Sequence, residues 1–135
     1  MYSFFQENKD LGFSLTKESK AIRFEVKAEI TVSAIENIIV SALEGQSNYW
    51  VGVDNTTIEW RDKPKGMPVS QYATDLILNG KKVVLYDIED EHKTWELTLD
   101  KLLAGIGKAM SENLDYEDEC DTILQYALFG DLVYA

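Results

Sequence analysis

Residues 81–99 read Lys81-Lys82-Val83-Val84-Leu85-Tyr86-Asp87-Ile88-Glu89-Asp90-Glu91-His92-Lys93-Thr94-Trp95-Glu96-Leu97-Thr98-Leu99. Lys81 to Ile88 and Thr94 to Leu97 are rich in β-branched and aromatic residues and flank an acidic stretch, residues 89–93. That is the pattern of a hairpin with an acidic tip. Thr98 then serves as the N-cap of a helix whose Leu99, Leu102, Leu103, Ile106 and Met110 recur on one face. Strands in pairs between helices, rather than strict strand–helix alternation, predict an α+β fold with a largely antiparallel sheet.

The same logic extends in both directions. Toward the N-terminus, Ser70 is placed to cap a helix carrying Tyr72, Ala73, Leu76 and Ile77, stopped by Asn79-Gly80. Tyr49 to Val53 reads as a strand, Asp54 to Thr57 as a turn, and Ile58-Glu59-Trp60 as an alternating segment leaving it. Ser33 and Glu36 form a capping-box pattern ahead of Ile35, Ile38, Ile39, Ala42 and Leu43, with Gly45 in position to end that helix at positive φ. Ile22, Phe24, Val26, Ala28 and Ile30 alternate with charged residues, which predicts a long strand with one wet face. Leu11, Phe13 and Leu15 alternate likewise, and residues 17–20 are placed as the turn between them. Toward the C-terminus, a helix over about 118–129 carries Cys120, Ile123, Leu124, Ala127 and Leu128 and stops at Gly130. Asp131 to Tyr134 reads as a short last strand.

These elements, about four helices on a sheet, fit one domain over residues 1–135, with residues 1–20 a variable N-terminal extension or hairpin. A content of 45% hydrophobic residues is enough for a core and excludes a wholly disordered chain. No apolar run approaches the length of a membrane span, so no membrane association is expected. Met1 to Glu7 lacks the basic and apolar regions of a secretory signal, and one cysteine makes no internal disulfide. Both point to a reducing cytoplasm. The net charge of −11 argues against direct nucleic-acid binding. That charge is uneven: residues 1–82 hold 11 acids and 10 bases, residues 83–135 hold 13 acids and 3 bases.

Catalytic motifs are scarce. Gly105-Ile106-Gly107-Lys108 echoes the end of a phosphate loop, but Leu102 stands where the first glycine is needed and Ala109 where Ser or Thr is. Mid-helix, small residues instead suit close helix packing. The acidic runs lack the glycine and the bidentate glutamate of a calcium loop, and one His with one Cys is too few for structural zinc. No metal site and no cofactor are therefore expected. Cys120 falls on an apolar helix face, so a nucleophile paired with His92 is disfavoured; the thiol should be buried and slow to react. The chain is expected not to be an enzyme, with a carboxylate-pair enzyme as the remote alternative.

Four segments carry a resemblance: Val40 to Trp50 (Val40-Ser41-Ala42-Leu43-Glu44-Gly45-Gln46-Ser47-Asn48-Tyr49-Trp50), Lys82 to Asp87, Trp95 to Ile106, and Ile123 to Tyr134. Together they resemble a set of small acidic uncharacterised proteins of phages and mobile elements of Gram-positive bacteria, over roughly residues 30–135. The resemblance implies an intracellular, phage-associated role and transfers no catalytic residues.

Two binding expectations follow. The first is an acidic surface that inhibits a host defence or nucleic-acid-processing protein, presenting carboxylates where phosphates would sit, as a DNA mimic. Its candidate contacts are Asp87, Glu89, Asp90 and Glu91 at the hairpin tip and Asp115, Glu117, Asp118, Glu119 and Asp121 before the last helix. The partner is a host protein with a basic surface; a homodimer is compatible with the sequence. The alternative is a small-molecule or nucleotide-signal sponge. It would use an aromatic and basic pocket of Tyr49, Trp50, Trp60, Arg61, Lys63, Lys65 and Tyr72, residues that otherwise belong to the core or the solvated surface.

Overall fold

The computed structural model describes residues 13–15 and 21–135. The chain forms two units, Met1–Ile30 and Thr31–Ala135. Within the first, β1 (Phe13–Leu15) pairs antiparallel with β2 (Ile22–Phe24), Phe13 facing Phe24 and Leu15 facing Ile22. The hairpin is the expected one, but β2 is far shorter than the alternation from Ile22 to Ile30 predicts. Residues 25–31 carry no strand, and Phe24 and Val26 are exposed. Alternation describes a strand only where a second layer covers its apolar row; a two-stranded ribbon by itself is marginal. Leu11 and the turn at 17–20 lie outside the described residues.

The second unit is α+β: α1 (Val32–Ser41), β3 (Val51–Val53), α2 (Val69–Leu78), β4 (Val83–Asp87), β5 (Asp90–Leu97), α3 (Leu99–Ser111) and α4 (Cys120–Phe129). The three strands form an antiparallel sheet in the order β3-β4-β5. α1 packs on α2, and α3 packs on α4. The core joins Ile38 and Ile39 of α1, Ile77 of α2, Val83 and Leu85 of β4, Leu102 of α3, and Ile123 of α4, all at most 2% exposed. No described helix is long and apolar enough to cross a membrane.

Several local expectations hold. The Thr98 hydroxyl accepts from the Lys101 amide at 3.4 Å, and Gly130 ends α4 at φ 73°. Asn79 and Gly80, the latter at φ 77°, end α2. Gly105 is a packing residue. A methyl group there would lie 2.7 Å from the Ile123 carbonyl oxygen and 2.8 Å from the Ala127 amide nitrogen, so α3 approaches α4 only because position 105 has no side chain.

Other expectations are corrected. α1 is capped by Thr31, whose hydroxyl accepts from the Ala34 amide at 3.1 Å, and not by Ser33. Gly45 does not stop that helix at positive φ. It lies inside a π-helical turn, Ala42–Gln46, which continues the helix until the Ser47 amide bonds the Ala42 carbonyl at 2.8 Å. Ile58–Trp60 is a turn of 3₁₀ helix rather than an extended segment. Ser70 lies inside α2, its hydroxyl donating to Glu44 Oε1 at 2.5 Å. On α3 the buried residues are Leu102, Gly105, Ile106 and Ala109, while Leu103 and Met110 are exposed. The β4–β5 tip is only Ile88-Glu89, so residues 90–93 belong to β5. Asp131 to Tyr134 forms no strand.

Candidate functional site

The acidic runs divide into an inner and an outer set. Asp121 stands in the first turn of α4, where a carboxylate is favoured by the helix dipole. Its Oδ1 accepts from Ser47 Oγ at 2.7 Å and from the Trp50 indole N–H at 2.8 Å. Its Oδ2 accepts from the Tyr49 hydroxyl at 2.9 Å and from Gln125 Nε2 at 3.1 Å. The π-turn makes this possible by delivering Ser47, Tyr49 and Trp50 to the start of α4, where Gln46 Oε1 also accepts from the Asp121 amide at 3.1 Å.

Gln125, buried one helical turn further on, satisfies all four of its amide positions. Besides Asp121, its Nε2 donates to the Tyr134 carbonyl at 3.1 Å, and its Oε1 accepts from the amides of Val133 and Tyr134, each at 2.8 Å. It thereby ties the last residues to α4. The Tyr134 ring stacks on Trp50 with centroids 4.4 Å apart and planes 11° apart, and Trp95 and Phe129 complete the aromatic group. The Tyr134 hydroxyl donates to Asp87 Oδ2 at 2.6 Å, and Asp87 Oδ1 accepts from the Glu89 amide at 2.8 Å. These hydrogen bonds hold the Asp87 carboxyl below its usual range. Burial and then the Asp87 contact push the Tyr134 phenol up to about 12.

Asp87 and Asp121 are therefore corrected from exposed contacts to structural acceptors. Asp87 is 8% exposed, and both its oxygens are used inside the fold. The outer set is as expected in exposure: Glu89, Asp90, Glu91, Asp115, Glu117, Asp118 and Glu119 all reach solvent. Glu117, Asp118 and Glu119 precede α4 and do not occupy its first turn. Among the described residues the ion pairs are Lys82–Glu96 at 2.7 Å and Arg61–Asp62 at 3.8 Å, so none of the seven outer carboxylates is paired with a cation. Two of the three basic residues of the acidic half are held by backbone: Lys101 Nζ by the Glu96 carbonyl and Lys108 Nζ by the Gly130 carbonyl. The third, Lys93, sits over the Trp95 and Tyr134 rings at 5.8 and 5.9 Å.

The aromatic and basic set is not gathered as expected. Trp50 and Trp60 are 2% and 6% exposed and belong to different ring groups. Trp60 packs on Tyr72 at 5.3 Å, and its indole N–H has no acceptor among the described residues, whereas that of Trp50 is bonded to Asp121. Arg61 and Lys65 extend into solvent, and Lys63 Nζ donates to the Pro64 carbonyl at 3.3 Å. The two tryptophans serve the core, since burial of an indole outweighs its use at a surface.

Cys120 is fully buried and its thiol donates toward the carbonyls of Tyr116 and Glu117; burial pushes its pKa up, the opposite of an activated thiol. His92 is exposed. Among the described residues no three His, Cys, Asp or Glu side chains gather as metal ligands. The carboxyls whose pKa shifts, Asp54, Asp87 and Glu96, all move down. A carboxyl acting as a general acid near neutral pH needs the reverse.

The sequence carried no signal for the Gln125 clasp or for the stacking of Tyr134 on Trp50. It did carry the aromatic residues themselves. No family model, no curated protein and no solved structure matches this chain.

Proposed function

We propose that this protein is a non-enzymatic binding protein whose outer carboxylates engage the basic surface of a protein partner. In the setting implied by the resemblance to phage and mobile-element proteins, that partner is a host defence or nucleic-acid-processing protein, and binding inhibits it. The observation that carries the reading is the absence of any cation paired with Glu89, Asp90, Glu91, Asp115, Glu117, Asp118 or Glu119 among the described residues. Exposed carboxylates with no paired intramolecular cation keep their charge for an external one, and they speed association at low salt. The inner pair Asp87 and Asp121 is spent on the fold and adds only to the distant field.

The test is capture from a bacterial lysate on the immobilised chain over a salt series. A specific partner should dissociate steeply as salt rises, because contacts between exposed charges are screened within about 10 Å at 0.1 M ionic strength. Replacing Glu117, Asp118 and Glu119 with Ser, and separately Glu89 and Asp90, should slow association and flatten the salt dependence. A partner that holds equally well to both variants and to the parent chain would refute an electrostatic contact surface.

A further inference from the structure

The three-stranded sheet carries, beside the turn after β3, a groove of about 360 Å³ lined by Val53, Asp54, Asn55, Thr56, Tyr86, Glu91 and Thr94. Three features of the backbone build it. Gly52 lies opposite Tyr86 in the β3–β4 register, and a methyl group there would come within 2.5 Å of Tyr86 Cζ, so the phenol end of the ring lies across the bare glycine. Asp54 is oriented by its own turn, its Oδ1 accepting from the Thr56 amide at 3.0 Å and from the Thr56 hydroxyl at 2.5 Å. The β4–β5 register places Tyr86 opposite Thr94 but Asp87 opposite Asp90, leaving residues 91–93 as a bulge. The bulge shifts β5 out of simple alternation and turns Glu91 to the same groove as Thr94 and Tyr86.

The chemistry of the lining is one-sided. It holds two carboxylates, a phenol, a primary amide and two hydroxyls, and no basic residue. The Thr56 bonds hold the Asp54 carboxyl below its usual range, so it stays ionised in mild acid. Asp54 Oδ2 and the side chains of Asn55, Tyr86, Glu91 and Thr94 make no hydrogen bond or ion pair among the described residues. An anion would find two like charges and no donor cation. A cation finds two carboxylates beside an aromatic ring. A planar, weakly hydrated guanidinium suits such a groove better than an ammonium: it stacks on a ring and carries five donors in a fixed fork, whereas an ammonium is compact and strongly hydrated.

We propose that this groove is an arginine site, receiving the guanidinium of a basic protein partner on Tyr86 between Asp54 and Glu91. This rests on the reading of the protein as a binder of basic partners, and names the pocket where one such side chain is anchored.

The experiment is an amide-resolved NMR titration of the full chain with tetra-arginine and, separately, tetra-lysine peptide, at low and physiological salt. With tetra-arginine the largest shifts should fall on residues 53–56, 86, 91 and 94. Tetra-arginine should bind about threefold or more tightly than tetra-lysine of the same charge, the margin expected for stacking and forked hydrogen bonds. Tyr86→Leu and Glu91→Gln should each weaken tetra-arginine binding about threefold to tenfold. Glu91→Gln removes no hydrogen bond or ion pair among the described residues, so it carries the test if Tyr86→Leu disturbs the sheet. Shifts confined to residues 115–119, or equal affinity for the two peptides, would overturn the arginine site while leaving the acidic-surface reading standing. No binding of either peptide at low salt would overturn both.

Discussion

Two regions of this molecule are built from the same materials and end in opposite chemical states. Around Trp50, aromatic rings, two carboxylates and a primary amide form a knot in which both oxygens of Asp87, both oxygens of Asp121 and all four positions of Gln125 are used. Around Tyr86, an aromatic ring, two carboxylates and a primary amide form a groove in which most of the same kinds of atom are unused. The difference teaches that residue type does not separate satisfied from open polar groups here. The donors and acceptors that the fold brings to them do. Most buried polar atoms are paired in a stable fold, whereas polar atoms left open on a shaped surface are available to a ligand.

The sharpest way to break this comparison is at Asp121. Asp121→Ala leaves the Trp50 indole N–H, Ser47 Oγ and Gln125 Nε2 each short of an acceptor, so stability should fall by about 3–5 kcal/mol in urea unfolding, on a scale of 1–3 kcal/mol per stranded group. A loss below about 1 kcal/mol would show that the knot relaxes freely and is no structural unit. Gln125→Ala comes next. It releases the last residues from α4, and should cost about 2–3 kcal/mol and raise hydrogen exchange at Val133 and Tyr134 first.

Tyr134→Phe keeps the ring stack and removes one hydrogen bond to Asp87, for a loss of about 1 kcal/mol near neutral pH. The pair also sets a pH signature. The phenol is raised in the folded state from 10.0 to about 12. Its contribution is thus complete below pH 10 and lost as pH rises through about 12, because the unfolded chain ionises there first. The Asp87 carboxyl is lowered by the same hydrogen bond, so its contribution is complete above the ordinary carboxylate range and is lost as pH falls through its depressed value. The Tyr49 and Tyr126 phenols are raised too, but Tyr134 the furthest, so in an ultraviolet titration Tyr134→Phe should remove the latest ionisation. The smallest effect belongs to the groove: Glu91→Gln should leave stability within about 0.5 kcal/mol, since that carboxylate is exposed and makes no hydrogen bond or ion pair among the described residues. A larger loss there would erase the contrast between the two regions.

What the sequence by itself determined is local. The hairpin followed by a capped helix, from Val83 through Thr98 to Ser111, needs only near neighbours: alternation, a threonine at the N-cap and a helical apolar stripe. Gly130 as a helix stop, Cys120 as a buried thiol and the concentration of acids after residue 82 are legible for the same reason. Ser33 and Gly45 carried good local signals too, yet Thr31 capped earlier and the π-turn ran on past Gly45, since competing caps differ by about 1 kcal/mol or less and packing decides among them. The tertiary structure alone decided which acids are inside. Ser47, Tyr49, Trp50 and Gln46, the partners that convert Asp121 from a surface charge into an acceptor, lie 71 to 75 residues before it. Glu91 entered the Tyr86 groove only because a three-residue bulge interrupts β5. A carboxylate's role is set by the donors brought to it, and those donors arrive through the fold rather than along the chain.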